Sequence, residues 1–200
     1  MDSHSEIDFE EVYWLNDPLA DQPLRCEFAD EALLSLGNGP LPKGEYEPDR
    51  PIKYVRFMGG KPCDFIWTGM GFPLISARVV ELLEENSIAG WKTYPVEVYG
   101  KSNQRVPGYS GLAITGRCGR IDESMSRRAL RPPVVPQGKP YWVLIGLFFD
   151  CKSWSGHDFF IPKDTGFILV TSRVRHCFEN AKIRNVRFSK ITEIEDDVRE

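Results

Sequence analysis

The chain has 200 residues, of which 42% are hydrophobic, 12% aromatic and 27% charged. That balance excludes a disordered or collagen-like chain and supplies enough apolar surface for a core without metal or disulfide support. The formal net charge of −4 conceals a polarity: residues 1–31 hold ten acids against Arg25 alone, residues 101–190 hold sixteen Lys and Arg against six acids, and the last ten residues hold five acids against Arg199. Internal neutralisation of the basic half by the acidic ends is the plain reading, and display of one sign to a partner is the other.

In chain order, the opening MDSHSEIDFEE lacks a basic region followed by an apolar one, so no secretory leader is expected. Residues 1–50 read as an acidic segment packed on or flanking the body, ending in the Pro- and Gly-dense loop Gly37–Pro51. IKYVRFM (Ile52 to Met58) reads as a strand. GFPLISARVVELLEENSI, Gly71 to Ile88, is then echoed 95 residues later by GFILVTSRVRHCFENAKI, Gly166 to Ile183, and the preceding Asp64-Phe65 by Asp158-Phe159. Each copy opens with an apolar strand and a hydroxyl residue, Ser76 or Thr171, placed to cap a helix. Val79, Leu82, Leu83 and Asn86 in one copy, and Val174, Cys177, Phe178 and Ala181 in the other, fall at i, i+3, i+4 and i+7 and form one helical face. Gly90 and Asn185 stand where a left-handed residue ends a helix. TYPVEVY (Thr93 to Tyr99) and NVRFSKI (Asn185 to Ile191) follow as strands.

Arg78 and Arg173 lie in the first turns, against the helix dipole, so a fixed acceptor is expected, and Asp64 and Asp158 are the candidates. GLAITG (Gly111 to Gly116) and the longest apolar run, Tyr141 to Phe149, read as strands, the latter too short to span a bilayer. RPPVVPQGKP, Arg131 to Pro140, reads as a loop. The expected fold is α+β: a mixed or mainly antiparallel sheet with few helices and two related strand-helix-strand halves. Residues 51–192 form the expected domain, with matching units at about 64–98 and 158–192 and an acidic tail at 193–200.

Chemistry is sparse. The five cysteines are odd in number and show no C-x-x-C spacing, so neither disulfides nor a metal site is expected. Cys151, Ser155 and His157-Asp158 are close in sequence, yet neighbours rarely present side chains to one another and no Gly-x-Ser-x-Gly elbow accompanies them. His4 stands near the start and His176 off the apolar helix face. Glu10-Glu11, Asp122-Glu123 and Asp196-Asp197 are adjacent carboxylates without a catalytic pattern. Gly37-Asn38-Gly39 and Gly116 to Gly119 read as turns rather than phosphate loops. Arg117, Arg120, Arg127, Arg128 and Arg131 could meet phosphates, but no aromatic interleaves them for stacking.

The order of Asp-Phe, turn, apolar strand, Ser-x-Arg helix, Gly90 and a Pro95-Val96 strand resembles the immunity proteins of bacterial polymorphic toxin systems, namely immunity family eleven and its relative family forty-three. The second half carries the resemblance further, through Ile121-Asp122, Ser124, the Tyr141 to Asp150 strand, Asp158-Phe159-Phe160 and the closing ILVTSRVRHCFENAKIRNVRF. It spans roughly residues 50 to 192. It implies a non-enzymatic protein that binds and neutralises a cognate toxin domain. The absence of a leader-like or membrane-spanning segment and of a cofactor motif adds the expectation of a cytoplasmic protein without cofactor or membrane partner, a homo-oligomer being left open. The surplus surface expected to meet that toxin is Glu193, Glu195, Asp196 and Asp197, with the loop of Trp154, His157 and Phe160 as the second choice. A nucleic-acid-binding protein, or an enzyme with a scattered site, is the alternative.

Overall fold

The computed structural model describes residues 7–37, 39–69 and 72–197. His4, Asn38, Gly71, Arg199 and Glu200 from the sequence reading lie outside these residues. The elements are β1 (Val12–Asn16), β2 (Arg25–Phe28), α1 (Leu34–Gly37), β3 (Ile52–Met58), β4 (Phe65–Thr68), β5 (Pro73–Ser76), α2 (Ala77–Glu85), β6 (Trp91–Tyr99), β7 (Arg105–Val106), β8 (Tyr109–Ile114) and β9 (Gly116–Cys118). Then come β10 (Arg127–Arg131), β11 (Tyr141–Ile145), β12 (Phe159–Pro162), β13 (Ile168–Thr171), α3 (Ser172–Asn180), β14 (Arg187–Lys190) and β15 (Glu195–Asp197). The fold is α+β with mixed sheets.

One sheet runs β3-β2-β4-β5-β8-β6-β7, and an added parallel pairing of β3 with β6 closes six of its strands into a barrel. Cys26, Tyr54, Ile66, Leu74 and Tyr94 are buried in one cluster inside it. A second sheet runs β14-β1-β13-β12-β9, and a third, of three strands, β10-β11-β15. The largest core lies between the first two sheets. α2 and α3 both contribute to it, with Val79 and Leu83 from the first and Val174 and Phe178 from the second, against Phe65, Ile75, Leu112, Phe159 and Val170 from the strands.

The two strand-helix-strand halves match in detail. After each helix, Ser87 and Lys182 adopt φ of 49° and 54°, and Gly90 and Asn185 adopt φ of 93° and 64°. At Gly90 the conformation is reinforced by space, since a Cβ there would lie 2.1 Å from the carbonyl oxygen of Phe159. The halves also exchange a strand. β8 lies between β5 and β6, with Leu74 opposite Gly111 and Ser76 opposite Tyr109. At the corresponding place in the other half β1 lies between β13 and β14, with Leu169 opposite Trp14 and Thr171 opposite Val12. The acidic first third of the chain therefore supplies an interior strand of the second sheet.

Two expectations need correction. Ser76 and Thr171 precede their helices but make no side-chain cap; their hydroxyls turn to buried aspartates instead. The Tyr141 to Phe149 run is not one strand, because Gly146 at φ 99° breaks it after Ile145. Leu147 and Phe149 then enter another core with Val12, Cys118, Phe160 and Leu169. There the Leu147 N–H donates to the Ile191 carbonyl at 2.9 Å and the Asp122 N–H to that of Phe148 at 2.7 Å. These residues thus stand where β3 stands in the other half, whose Lys53 carbonyl accepts from the Ala29 N–H at 3.0 Å.

Candidate functional site

Four buried polar or charged residues stand out among the described ones: Asn16, Arg25, Asp64 and Asp158. Burying a carboxylate is costly without partners, and both aspartates have them. Asp158 accepts from the Thr171 hydroxyl at 2.8 Å, Arg173 at 2.9 Å and the Ala89 N–H at 3.0 Å. Asp64 accepts from the Arg184 N–H at 2.8 Å and lies 3.5 Å from the Ser76 hydroxyl, Arg78 and the Arg184 side chain. Arg173 and Arg78 also donate to the carbonyls of Asn86 and Ala181, each at the end of the opposite helix. The two aspartates are therefore the expected acceptors, and their arrangement holds the halves together.

This same geometry takes Asp158 out of the sequence-adjacent catalytic set, although Ser155 and His157 do present their side chains to one another. The Asp158 carboxylate is taken up by Thr171, Arg173 and Ala89, whereas His157 Nδ1 meets the Ser155 hydroxyl at 2.8 Å, and that hydroxyl also accepts from the Arg117 N–H at 3.0 Å. Trp154, half-buried, donates its indole N–H to the His157 carbonyl at 3.1 Å and packs over Phe160 with ring centroids 6.0 Å apart. Phe160 itself is fully buried beside Phe149 and Leu169. It is a core residue and presents nothing to a partner, which corrects its place among the candidate contacts; periodicity could not separate a buried strand aromatic from an exposed loop one.

The arginine-rich stretch is partly spent inside the molecule. Arg117 donates to the carbonyls of Ile114, Gly116 and Lys43 at 2.6 to 2.8 Å, Arg120 pairs with Asp164 at 2.6 Å, and Arg131 makes a two-pronged contact with Glu195. That hydrogen bond from Arg131 holds the Glu195 carboxyl below its ordinary value. Arg127 and Arg128 are exposed.

The C-terminal acids are not a loose tail. Glu195, Asp196 and Asp197 pair antiparallel with Ile145, Leu144 and Val143, so Coulomb repulsion among the acids is outweighed by strand pairing at this edge. Strand alternation then sends neighbours to opposite sides. Glu193 and Glu195 line an open cleft of about 960 Å³ with Arg175, Lys182 and Lys190, while Asp196 lines another of about 740 Å³ with Glu123, Asp164, Phe167 and Leu144. β15 is an acidic ridge between two clefts. Among the described residues no group of three His, Cys, Asp or Glu is placed to hold a metal, and no helix is long and apolar enough to cross a membrane.

The surface feature that sequence reading missed is the exposed hairpin of β10 and β11 that carries this ridge; its signal was the concentration of Leu130, Val134, Val135, Tyr141 and Trp142 around the RPPVVPQGKP loop. Comparison with curated proteins returns no match. A family model described as an immunity protein family (Imm11) matches residues 2–194, which includes the acidic first thirty residues as well as both halves. With that match over nearly its whole length, the chain belongs to the Imm11 immunity protein family.

Proposed function

We propose that this chain is the cytoplasmic immunity protein of a polymorphic toxin system, and that it neutralises a cognate toxin by stoichiometric binding without chemistry of its own. The observation that carries the reading is the family match across residues 2–194. Two features support it. The carboxylate that would orient a catalytic histidine, Asp158, is engaged instead by Arg173, Thr171 and the Ala89 N–H. The two halves, which we take to be copies of one repeated unit, build a rigid body around a shared core, leaving loops and edges to vary with the toxin.

On this reading the acidic ridge of Glu193, Glu195 and Asp196 faces a basic region of the toxin, and Asp197, whose side chain lies outside the described residues, continues the acidic run in sequence. Its potential speeds encounter and helps reject wrong partners. Trp154 and His157, half-buried beside one another, form a secondary edge whose contribution is small. Co-expression with the cognate toxin domain, sought in the reading frames beside this gene, tests the proposal: growth should be restored by this chain and not by an unrelated immunity protein. Unrestored growth with both proteins present and folded would overturn it.

A further inference from the structure

We infer that the β10–β11 hairpin is the anchor of toxin binding, inserting its apolar tip into a pocket of the toxin that is rimmed by carboxylates. The inference rests on the immunity reading and adds to it the contact surface and the chemistry of its complement.

The comparison of the two halves isolates the hairpin. In the first half the connection from β2 to β3 begins with Asp30 accepting from the Ala32 N–H at 2.9 Å, then folds down so that Leu33 and Leu36 pack on the barrel core and Leu41 is buried within it. In the second half the corresponding connection begins alike, with Asp122 accepting from the Ser124 N–H at 3.0 Å. It then departs from the body as two paired strands, with Leu130 opposite Trp142 and Arg131 opposite Tyr141. The core of the second half is filled without them.

What the arm displays is unusual for a surface that water alone must solvate. Of the eleven large hydrophobic side chains that are exposed among the described residues, five are here: Leu130 at 52%, Val134 at 83%, Val135 at 62%, Tyr141 at 36% and Trp142 at 54%. A concentrated apolar patch of this kind marks an interaction site, and Trp, Tyr and Arg are the side chains that dominate binding energy at interfaces. The base of the arm is fixed, since Val143, Leu144 and Ile145 are buried and β15 pairs along them. Little order has to be gained on binding.

Charge selects the occupant. Residues 124–149 contain no Asp or Glu but do contain Arg127, Arg128, Arg131 and Lys139. Arg131 is paired with Glu195, whose charge also reaches Arg127, while Arg128 and Lys139 are in no ion pair among the described residues. The complement is therefore an apolar pocket with an acidic rim. A nucleic acid offers phosphates to the arginines but nothing to Val134, Val135 and Leu130. A second copy of the chain pairing arm to arm would bring like charges together.

The test uses the full-length chain and its cognate toxin domain, identified by co-expression and immobilised for surface plasmon resonance. Trp142→Ala should weaken binding at least about tenfold, mainly through faster dissociation. The double change Val134→Ser with Val135→Ser should do likewise, and because both residues are exposed it also decides the matter if Trp142→Ala fails to fold. Arg127→Glu with Arg128→Glu should slow association. Leu19→Ser, a control at 72% exposure away from the arm, should bind as the unaltered chain does. If the arm variants bind undiminished while the unaltered chain binds and protects, this inference fails and the immunity reading stands. If the unaltered chain does not bind the toxin, both fail. A chain that runs as a dimer broken by the arm variants, or that retards a labelled RNA or DNA only while Arg127 and Arg128 are intact, would also overturn the assignment of the arm to the toxin.

Discussion

Arg173 grips Asp158 at 2.9 Å with one nitrogen and the carbonyl of Asn86, at the end of the opposite helix, at 2.9 Å with another. Arg78 repeats the arrangement with Asp64 and Ala181, its ion pair longer at 3.5 Å. A cation in the first turn of a helix is unfavourable by a few tenths of a kcal/mol. Charge-assisted hydrogen bonds to a buried carboxylate are worth more, about 1.5–3 kcal/mol each, so the contact wins. The arginines are more than half exposed and remain solvated if the acid is removed, which limits the loss to the aspartate's own bonds.

Asp158→Ala should therefore destabilise the protein by about 2–4 kcal/mol, and Asp64→Ala by less, because its side-chain contacts are longer. Urea unfolding midpoints check this. Equal losses, or a larger one at Asp64, would contradict the account.

Phe178 packs between the halves, its ring 5.6 Å from that of Phe65 and 6.5 Å from that of Phe159. Leu83 is fully buried in the same core. Phe178→Ala and Leu83→Ala should cost about 3–5 and about 2–5 kcal/mol respectively, from lost transfer energy and the cavity left behind. A calorimetric melting temperature unchanged in either variant would place that face elsewhere.

Inside the barrel the Tyr54 and Tyr94 hydroxyls meet at 3.0 Å, and burial raises both phenols, Tyr94 to about 12. An unfolded tyrosine loses its proton near pH 10. Between about pH 10 and 12 the unfolded chain thus holds fewer protons than the folded one, and stability falls as pH rises. Burial of the Cys26 and Cys118 thiols, both raised to about 12, acts in the same direction from about pH 9. Stability measured against pH should be level between about pH 6 and 8 and decline above pH 9, steepening beyond pH 10. Tyr94→Phe should lower stability near neutrality by about 1–2 kcal/mol, by stranding the Tyr54 hydroxyl, and should flatten the decline above pH 10. A pH-independent stability up to pH 11 would contradict this.

Replacing Glu193, Glu195, Asp196 and Asp197 by Ser or Asn should slow association with the toxin, and the difference should shrink as salt is raised, since exposed charges are screened over about 8–10 Å. An association rate indifferent to both changes would remove the ridge from the interface.

The sequence announced the halves where strand, hydroxyl, arginine and helix recur at constant spacing, and it announced Asp64 and Asp158 as acceptors because an arginine in a first turn needs one. It hid the exchanged strand β1, whose Val12, Tyr13 and Leu15 sit among acids and look like part of a solvated tail. It also hid the match of Arg25-Cys26 to Arg117-Cys118. Those pairs lie in β2 and β9, each parallel to the first strand of its own half, but their separation of 92 residues departs from the 95 that aligns the helices. Insertions of a few residues in loops leave hydrogen-bond register intact and erase linear alignment. The hairpin was hidden for a different reason: three of the five residues of β10 are arginine, and its pairing with β11 is visible only once Gly146 has broken the long apolar run.

The central claim, neutralisation by binding alone, is tested most directly by titrating the activity of a fixed amount of the cognate toxin domain with this protein. Activity should fall linearly and vanish at one equivalent, with no dependence on incubation time once binding is complete. Complete inactivation by a small fraction of an equivalent, progressing with time, would mean that the protein turns over as an enzyme, and undiminished activity at any excess would mean that it is no immunity protein for that toxin.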